Sequence, residues 1–321
     1  MSGTAHPKWA IMGGNRVLGG VVHQATFVTL AVPGDLALQA LMLSQSIRDF
    51  GGTVATDPIW ALVPDGGRRM SRGVATAFER LDVRLVPFPI DPDIREIPFA
   101  IKAVGGAYAE SLVASERLVW LDPDVLLLGD GSEFLIPEGV ALGYRPVHHR
   151  LIGPDWDEAL DSFWSLIFDS CEVPEDRVFR MSTNVGEQIK PYFNAGVFAV
   201  RPERALLQRW LEALVHLARE QAITAHYQAE PLYEIFLHQA VFTAVLLKHL
   251  DRSEMFEFGP AVNYPLNLHH DIPAGRRALS LKRLTAIRTE DLLMDPDWRE
   301  NLPILESLAP WLEVQPLMKG R

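Results

Sequence analysis

The chain has 321 residues, 48 % of them hydrophobic, one cysteine and a formal net charge of −11. That balance can fill a large core, excludes an intrachain disulfide or a thiolate zinc cluster, and opposes charge-driven binding to nucleic acid or anionic lipid. No apolar run approaches the roughly 20 residues of a membrane span, and the opening MSGTAHPKWAIMGGNR lacks the apolar core of a signal peptide. A cytoplasmic protein with no transmembrane segment is expected.

Strands and helices alternate through the first half. TFVTLAV is a β-branched run ended by Pro33-Gly34, and Leu36, Ala40, Leu43 and Ile47 then share one helical face closed by Gly51-Gly52. IWALVP reads as a second strand, and Met70, Val74, Phe78 and Leu81 mark another amphipathic helix. VRLVPF is a third strand, and a helix over Phe99–Val113 leads into RLVWLD. Such alternation predicts an α/β fold, a mostly parallel sheet with helices on both faces and ligands at the carboxyl ends of its strands. The second half is less regular. GVALGYRP reads as a strand, Trp156–Phe168 as an aromatic-rich helix and EDRVFRMSTNVGEQ as a loop. YFNAGVFAVRP is an apolar strand, Glu203–Glu220 a helix started by Pro202, and Leu232–His249 a further helix. One domain over residues 1–321 is expected, with a nucleotide-binding half at about 26–128, an acceptor-side half at about 129–290 and a C-terminal tail at 291–321.

Within VWLDPDVLLLG two carboxylates interrupt an apolar run. Burying them unpaired is costly, so they require solvent, a basic partner or a cation. Pro123 cannot donate to a ladder, which places the strand's end there and brings Asp122 and Asp124 out at its tip. Paired carboxylate oxygens suit Mg²⁺ or Mn²⁺, whose shell is commonly completed by ligand phosphates. A solvated Asp-Pro-Asp turn is the plain structural alternative.

LVWLDPDVLLLG resembles the D-x-D strand of nucleotide-sugar glycosyltransferases with the GT-A fold, of the glycogenin and lipopolysaccharide-galactosyltransferase type. Further pieces follow in the family's order: FVTLAVPGDLALQALMLSQSI, the segment with Lys102 feeding the D-x-D, PYFNAGVFAVRP, LHQAVFTAVL and NYPLNLHH. Together they span about Thr26 to His270. The resemblance implies transfer of a sugar from a nucleoside-diphosphate sugar, UDP being the expected nucleotide, to a carbohydrate, lipid or protein acceptor. It implies Mn²⁺ or Mg²⁺ on Asp122 and Asp124, with Asp124 the more direct ligand and His269 or His270 the third. It also implies that Thr29 and Ala31 line the base pocket, that Lys102, Asp122, Asn194, Ala195 and Gly196 contact the donor, and that Gln239 faces the reacting carbon. This chain departs from the family at His238, where an Asp is usual, and at Ala240, where an acidic residue is frequent. Gln239 cannot accept a proton; its amide oxygen can only stabilise developing positive charge.

Several residues admit plainer roles. Asn194 can bond its own backbone, and adjacent His269 and His270 can be solvated polar residues. His238 on an apolar helix face reads as a core histidine. His148, His149 and Arg150 suit either acceptor contacts or a solvated loop, and Trp156, Phe163 and Trp164 either sugar stacking or core. GGNRVLGG has phosphate-loop glycine spacing, but Gly20 stands where the lysine is required. Two other functions fit a D-x-D: a Mg²⁺-dependent phosphatase of the haloacid-dehalogenase type with Asp122 as nucleophile, and a nucleotide-sugar binding module without turnover, which the His238 and Ala240 departures suggest.

Overall fold

In the computed structural model, which describes residues 23–295, 297–301 and 303–318, the alternation becomes a seven-stranded sheet. The signal-peptide and phosphate-loop readings fall outside the described residues. The first strands are β1 (Thr26–Leu30), β2 (Ile59–Pro64), β3 (Val83–Phe88), β4 (Leu118–Leu121), β5 (Val125–Leu127) and β6 (Leu142–Pro146). They are followed by β7 (Met181–Ser182), β8 (Gln188–Ile189), β9 (Phe193–Val200), β10 (Met255–Glu257), β11 (Tyr264–Pro265) and β12 (Ala286–Arg288). The main sheet runs β10-β6-β9-β4-β1-β2-β3, and β9 alone lies antiparallel to its neighbours. β5, β11 and β12 form a second sheet, and β7 pairs with β8.

Every residue of β4 and β9 is buried, as expected where helices cover both faces. The side-chain period of two sends Val28, Leu30, Trp120 and Phe198 to one face, against helices Ala100–Glu110, Leu206–Leu217 and Leu232–His249. Phe27, Val119, Leu121 and Val197 face the other way, towards helix Asp35–Phe50. The residues expected as a tail belong to the fold: Leu293, Trp298, Leu305 and Leu312 pack with Leu126, Tyr264 and Ile287 of the small sheet.

Local differences from the sequence reading have local causes. The aromatic helix begins at Ser162, because the Asp161 carboxylate caps it by accepting the Trp164 N–H at 2.8 Å. Upstream, Lys190 Nζ holds the Asp155 and Trp156 carbonyls at 2.9 and 2.8 Å, fixing an irregular path. The polar loop contains β7 and closes onto β8. After Pro202 a short 3₁₀ turn stops at Ala205, whose φ of 51° breaks the helix before Leu206. Among the described residues, no helix is long and apolar enough to cross a membrane.

Candidate active site

β9 enters the sheet beside β4 in the opposite sense, with Leu121 opposite Val197. The amino end of β9 therefore meets the carboxyl end of β4, and the Asp122 N–H donates to Gly196 O at 2.8 Å. Pro123 makes the corner of a turn closed by the Val125 N–H on Asp122 O at 3.0 Å. The two stretches singled out in the sequence thus meet at one sheet edge. β1, parallel to β4, brings Thr29 and Ala31 to the same edge.

Asp122 is 2 % exposed and fully engaged. Its Oδ2 accepts from Lys102 Nζ at 2.6 Å and Arg288 Nη2 at 3.1 Å, and its Oδ1 accepts from Trp120 Nε1–H at 3.1 Å. Arg288 reaches Asp124 as well, with Nε 3.2 Å from Oδ2 but not aligned for a hydrogen bond. The guanidinium therefore spans both aspartates, and Glu290 Oε1 lies 3.7 Å from its Nε. Backbone pairing sets this reach: β12 lies antiparallel to β5 with Arg288 opposite Val125, and Thr289 donates its N–H and Oγ1–H to Asp124 O at 2.8 and 2.9 Å. Asp124 Oδ1 is buried without a hydrogen-bond partner.

The electrostatics follow from these contacts. Burial pushes Asp122 upward, but Lys102 and Arg288 overturn that and hold its carboxyl at about 2. Asp124 is raised, by burial and by the neighbouring Asp122 charge, against the opposing pull of Arg288. Arg288 itself is desolvated, yet the Asp124, Asp122 and Glu290 charges hold its proton more firmly than usual. His148 and His238 are both lowered to about 3, chiefly by burial, with Arg288 adding to the effect at His148 and Lys102 at His238. Both imidazoles are neutral and weakly basic.

The other expected residues sort by their partners. Asn194 Oδ1 accepts the Gly196 N–H at 2.9 Å, the local bond the sequence also allowed. Gln239 Oε1 accepts the Ala195 N–H at 3.0 Å, so its amide oxygen fastens β9 to helix Leu232–His249. Gly196 serves a need the sequence did not show: a Cβ there would overlap Arg288 Nη1 and Asp122 Oδ2. Ala31 donates its N–H to Leu62 O at 2.8 Å, while Thr29 Oγ1 is buried and unpartnered. His238 is interior, with Nδ1 3.0 Å from Ile235 O. His148 Nδ1 lies 3.4 Å from Asn184 Oδ1, and its Nε2 is buried without a partner. Arg150 is tied to Asp155 and Glu187, Phe163 and Trp164 are core, and Trp156 stacks under Arg180 and Lys190.

The expected metal set does not fit. His269 Nδ1 shares a 2.8 Å hydrogen bond with the Tyr264 hydroxyl, and the His270 ring packs on His269. Among the described residues no three His, Cys, Asp or Glu side chains converge on a common point. The two aspartates already face two fixed cations, and a divalent ion on Asp124 would sit against Arg288. The same contacts disfavour a phosphatase nucleophile, since both oxygens of Asp122 are engaged. Sequence reading missed Arg288 and Glu290; the only trace was IRTE closing a very short apolar run. A concavity of ≈ 610 Å³ bordered by Pro58, Ile59, Arg72 and Arg84 lies at the amino ends of β2 and β3, away from this edge.

The Rhodobacterales glycosyltransferase domain matches residues 27–247. No curated protein matches the chain. Among solved structures, the bifunctional glycosyltransferase WbbM superposes with a TM-score of 0.51 at 12 % identity, covering 86 % of this chain and 47 % of WbbM. Mouse xyloside xylosyltransferase 1 gives 0.45 at 14 % identity, covering 83 % of this chain and 97 % of its own. Galactosyltransferase LgtC, solved with donor and acceptor sugar analogues, gives 0.44 at 14 % identity, with coverages of 82 % and 86 %. The shared architecture is the GT-A fold.

Proposed function

The chain belongs to the Rhodobacterales glycosyltransferase family, and from that premise we propose that it moves a sugar from a nucleoside-diphosphate sugar, with UDP as the nucleotide, to an acceptor hydroxyl. The observation that carries this reading is the Lys102–Asp122–Arg288–Asp124 cluster at the carboxyl edge of β4, beside Asn194 and Gly196. Two cations with spare hydrogen-bonding capacity, set against an unpartnered carboxylate oxygen, form a polar cradle for a charged, hydroxyl-rich ligand.

In the transfer, the bond between the anomeric carbon and the diphosphate oxygen breaks, and its electron pair leaves with the diphosphate. The acceptor oxygen forms the new bond to that carbon. Its proton passes to the departing diphosphate, because neutral Gln239 and the weakly basic His148 and His238 are poor acceptors. Lys102 and Arg288 stabilise the charge that develops on the leaving group, and holding donor and acceptor together supplies the other large share of the rate. Asp124 Oδ1, His148 Nε2 and Thr29 Oγ1, buried and unpartnered, are side-chain atoms left to orient ligand hydroxyls.

A panel of nucleotide sugars incubated with the full chain, with and without simple glycoside acceptors, tests this reading by release of nucleoside diphosphate. Release from a UDP-sugar is the expected result. Binding with no release under any condition would favour the module without turnover, and failure of every nucleotide sugar to bind would end the transferase reading for this site.

A further inference from the structure

Resting on the donor reading above, we infer that Arg288 is the resident cation of the diphosphate site, so that this chain holds its donor's diphosphate without a divalent metal ion. The sequence expectation was a cation shared by Asp122 and Asp124. The structure supplies one covalently: a single guanidinium lies 3.1 Å from Asp122 Oδ2 and 3.2 Å from Asp124 Oδ2, spanning the two carboxylates.

Three further features fit a built position. β12 is fastened to β5 by backbone pairing and by both donors of Thr289 on Asp124 O, so the arginine is delivered by a fixed strand. The backbone of β9 is hollowed for the group, because any side chain at position 196 would overlap Nη1 and Asp122 Oδ2. Lys102 also takes a share of Asp122 at 2.6 Å, which leaves Arg288 to span the pair, with Glu290 Oε1 3.7 Å from its Nε.

The guanidinium is only partly used by the protein. Nη2 bonds to Asp122, Nε is not aligned on Asp124, and Nη1 makes no hydrogen bond within the described residues. A planar donor group with free N–H bonds suits phosphate oxygens better than a point charge does. Of the histidines expected as the remaining metal ligand, His269 bonds Tyr264 through Nδ1, and among the described residues neither joins the aspartates in a group of three metal-ligating side chains. Arg288 also lies beyond the residues matched by the family, 27–247, so the device belongs to the part of the chain that the match leaves unread.

Calorimetric titration of UDP into the full chain, in excess EDTA and then in millimolar Mn²⁺ or Mg²⁺, tests the inference without relying on turnover. The wild type is expected to bind UDP in EDTA with an affinity within about threefold of that in metal, a difference well under 1.4 kcal/mol. Arg288→Ala is expected to weaken binding by roughly tenfold or more in EDTA. Arg288→Lys should fall between the two, and Gly196→Ala, which displaces the guanidinium while keeping every charge, should resemble Arg288→Ala. UDP binding by the wild type that appears only with metal would overturn the inference while leaving the transferase reading standing. UDP binding in neither condition would overturn both, and the wild-type comparison stands even if a variant fails to fold.

Discussion

Two buried acidic centres, separated in sequence by a turn and β4, find their partners in opposite ways. Glu110, 5 % exposed, reaches the start of helix Leu206–Leu217, where the left-handed Ala205 offers no capping side chain. Its Oε1 accepts the Leu207 N–H at 3.1 Å and its Oε2 the Gln208 N–H at 2.9 Å, so both oxygens answer backbone donors that would otherwise be orphaned. At Asp122 and Asp124 the partners are side-chain cations, and one oxygen and part of a guanidinium are left over. A carboxylate that completes a fold uses up its valences on the protein. The carboxylates proposed to serve a ligand leave one oxygen open, and burial alone does not tell the two centres apart.

Breaking each centre should expose that difference. Arg288→Ala leaves Asp124 without its cation and Asp122 with Lys102 alone, and should cost about 3–5 kcal/mol of stability, measured by chemical denaturation; a smaller loss would mean the pair reaches water more easily than the contacts imply. Asp124→Asn should leave stability within about 1 kcal/mol but lower turnover by roughly a hundredfold or more. Wild-type turnover by that variant would remove Asp124 from the site. Glu110→Ala leaves two amides unpaired and should cost about 2–3 kcal/mol with donor affinity unchanged.

Titration sharpens the same contrast. Burial raises Glu110 from 4.5 to about 7, so its contribution to stability is fully present below pH 4.5 and is lost as pH rises through about 7. Asp122, held at about 2 against an ordinary 3.8, contributes stability present above pH 3.8 and lost as pH falls towards 2. The melting temperature of the wild type should therefore fall relative to that of Glu110→Gln as pH rises from about 4.5 to about 7; parallel curves would show that Glu110 does not titrate there. The smallest effect is expected from His269→Ala, which loses one bond to Tyr264, about 1 kcal/mol or less, and no affinity for UDP in EDTA. A large loss of affinity would return this histidine to the site.

The sequence made the sheet edge legible because its signals are local. β-branched runs, helical periodicity and Pro123 located the strands and the tip carrying Asp122 and Asp124, and the Phe-Asn-Ala-Gly stretch was recognisable in its order after them. What answered the aspartates was not local. β12 is three residues long, too short for periodicity to register, and its pairing with β5 joins positions more than 150 residues apart. The charge that neutralises a buried group can come from anywhere in the chain, so the sequence showed that Asp122 and Asp124 need solvent, a basic partner or a cation, but not that Arg288 is that partner. Gln239 and Asn194 were likewise singled out as polar residues, while their bonds to Ala195 and Gly196 depended on how β9 lies against its helix.

The separation of 166 residues between Asp122 and Arg288 also bears on how the molecule is made. At about 5–20 residues per second, ribosomes need roughly 10–30 s to cover that distance. During this interval Lys102, only 20 positions away, is already synthesised, while the second cation does not yet exist. The parallel strands of the first half can therefore assemble around an incomplete charge cluster, and the last fastening arrives late in translation. A chain released before β12 would carry every recognisable motif and still lack the group that joins its two aspartates.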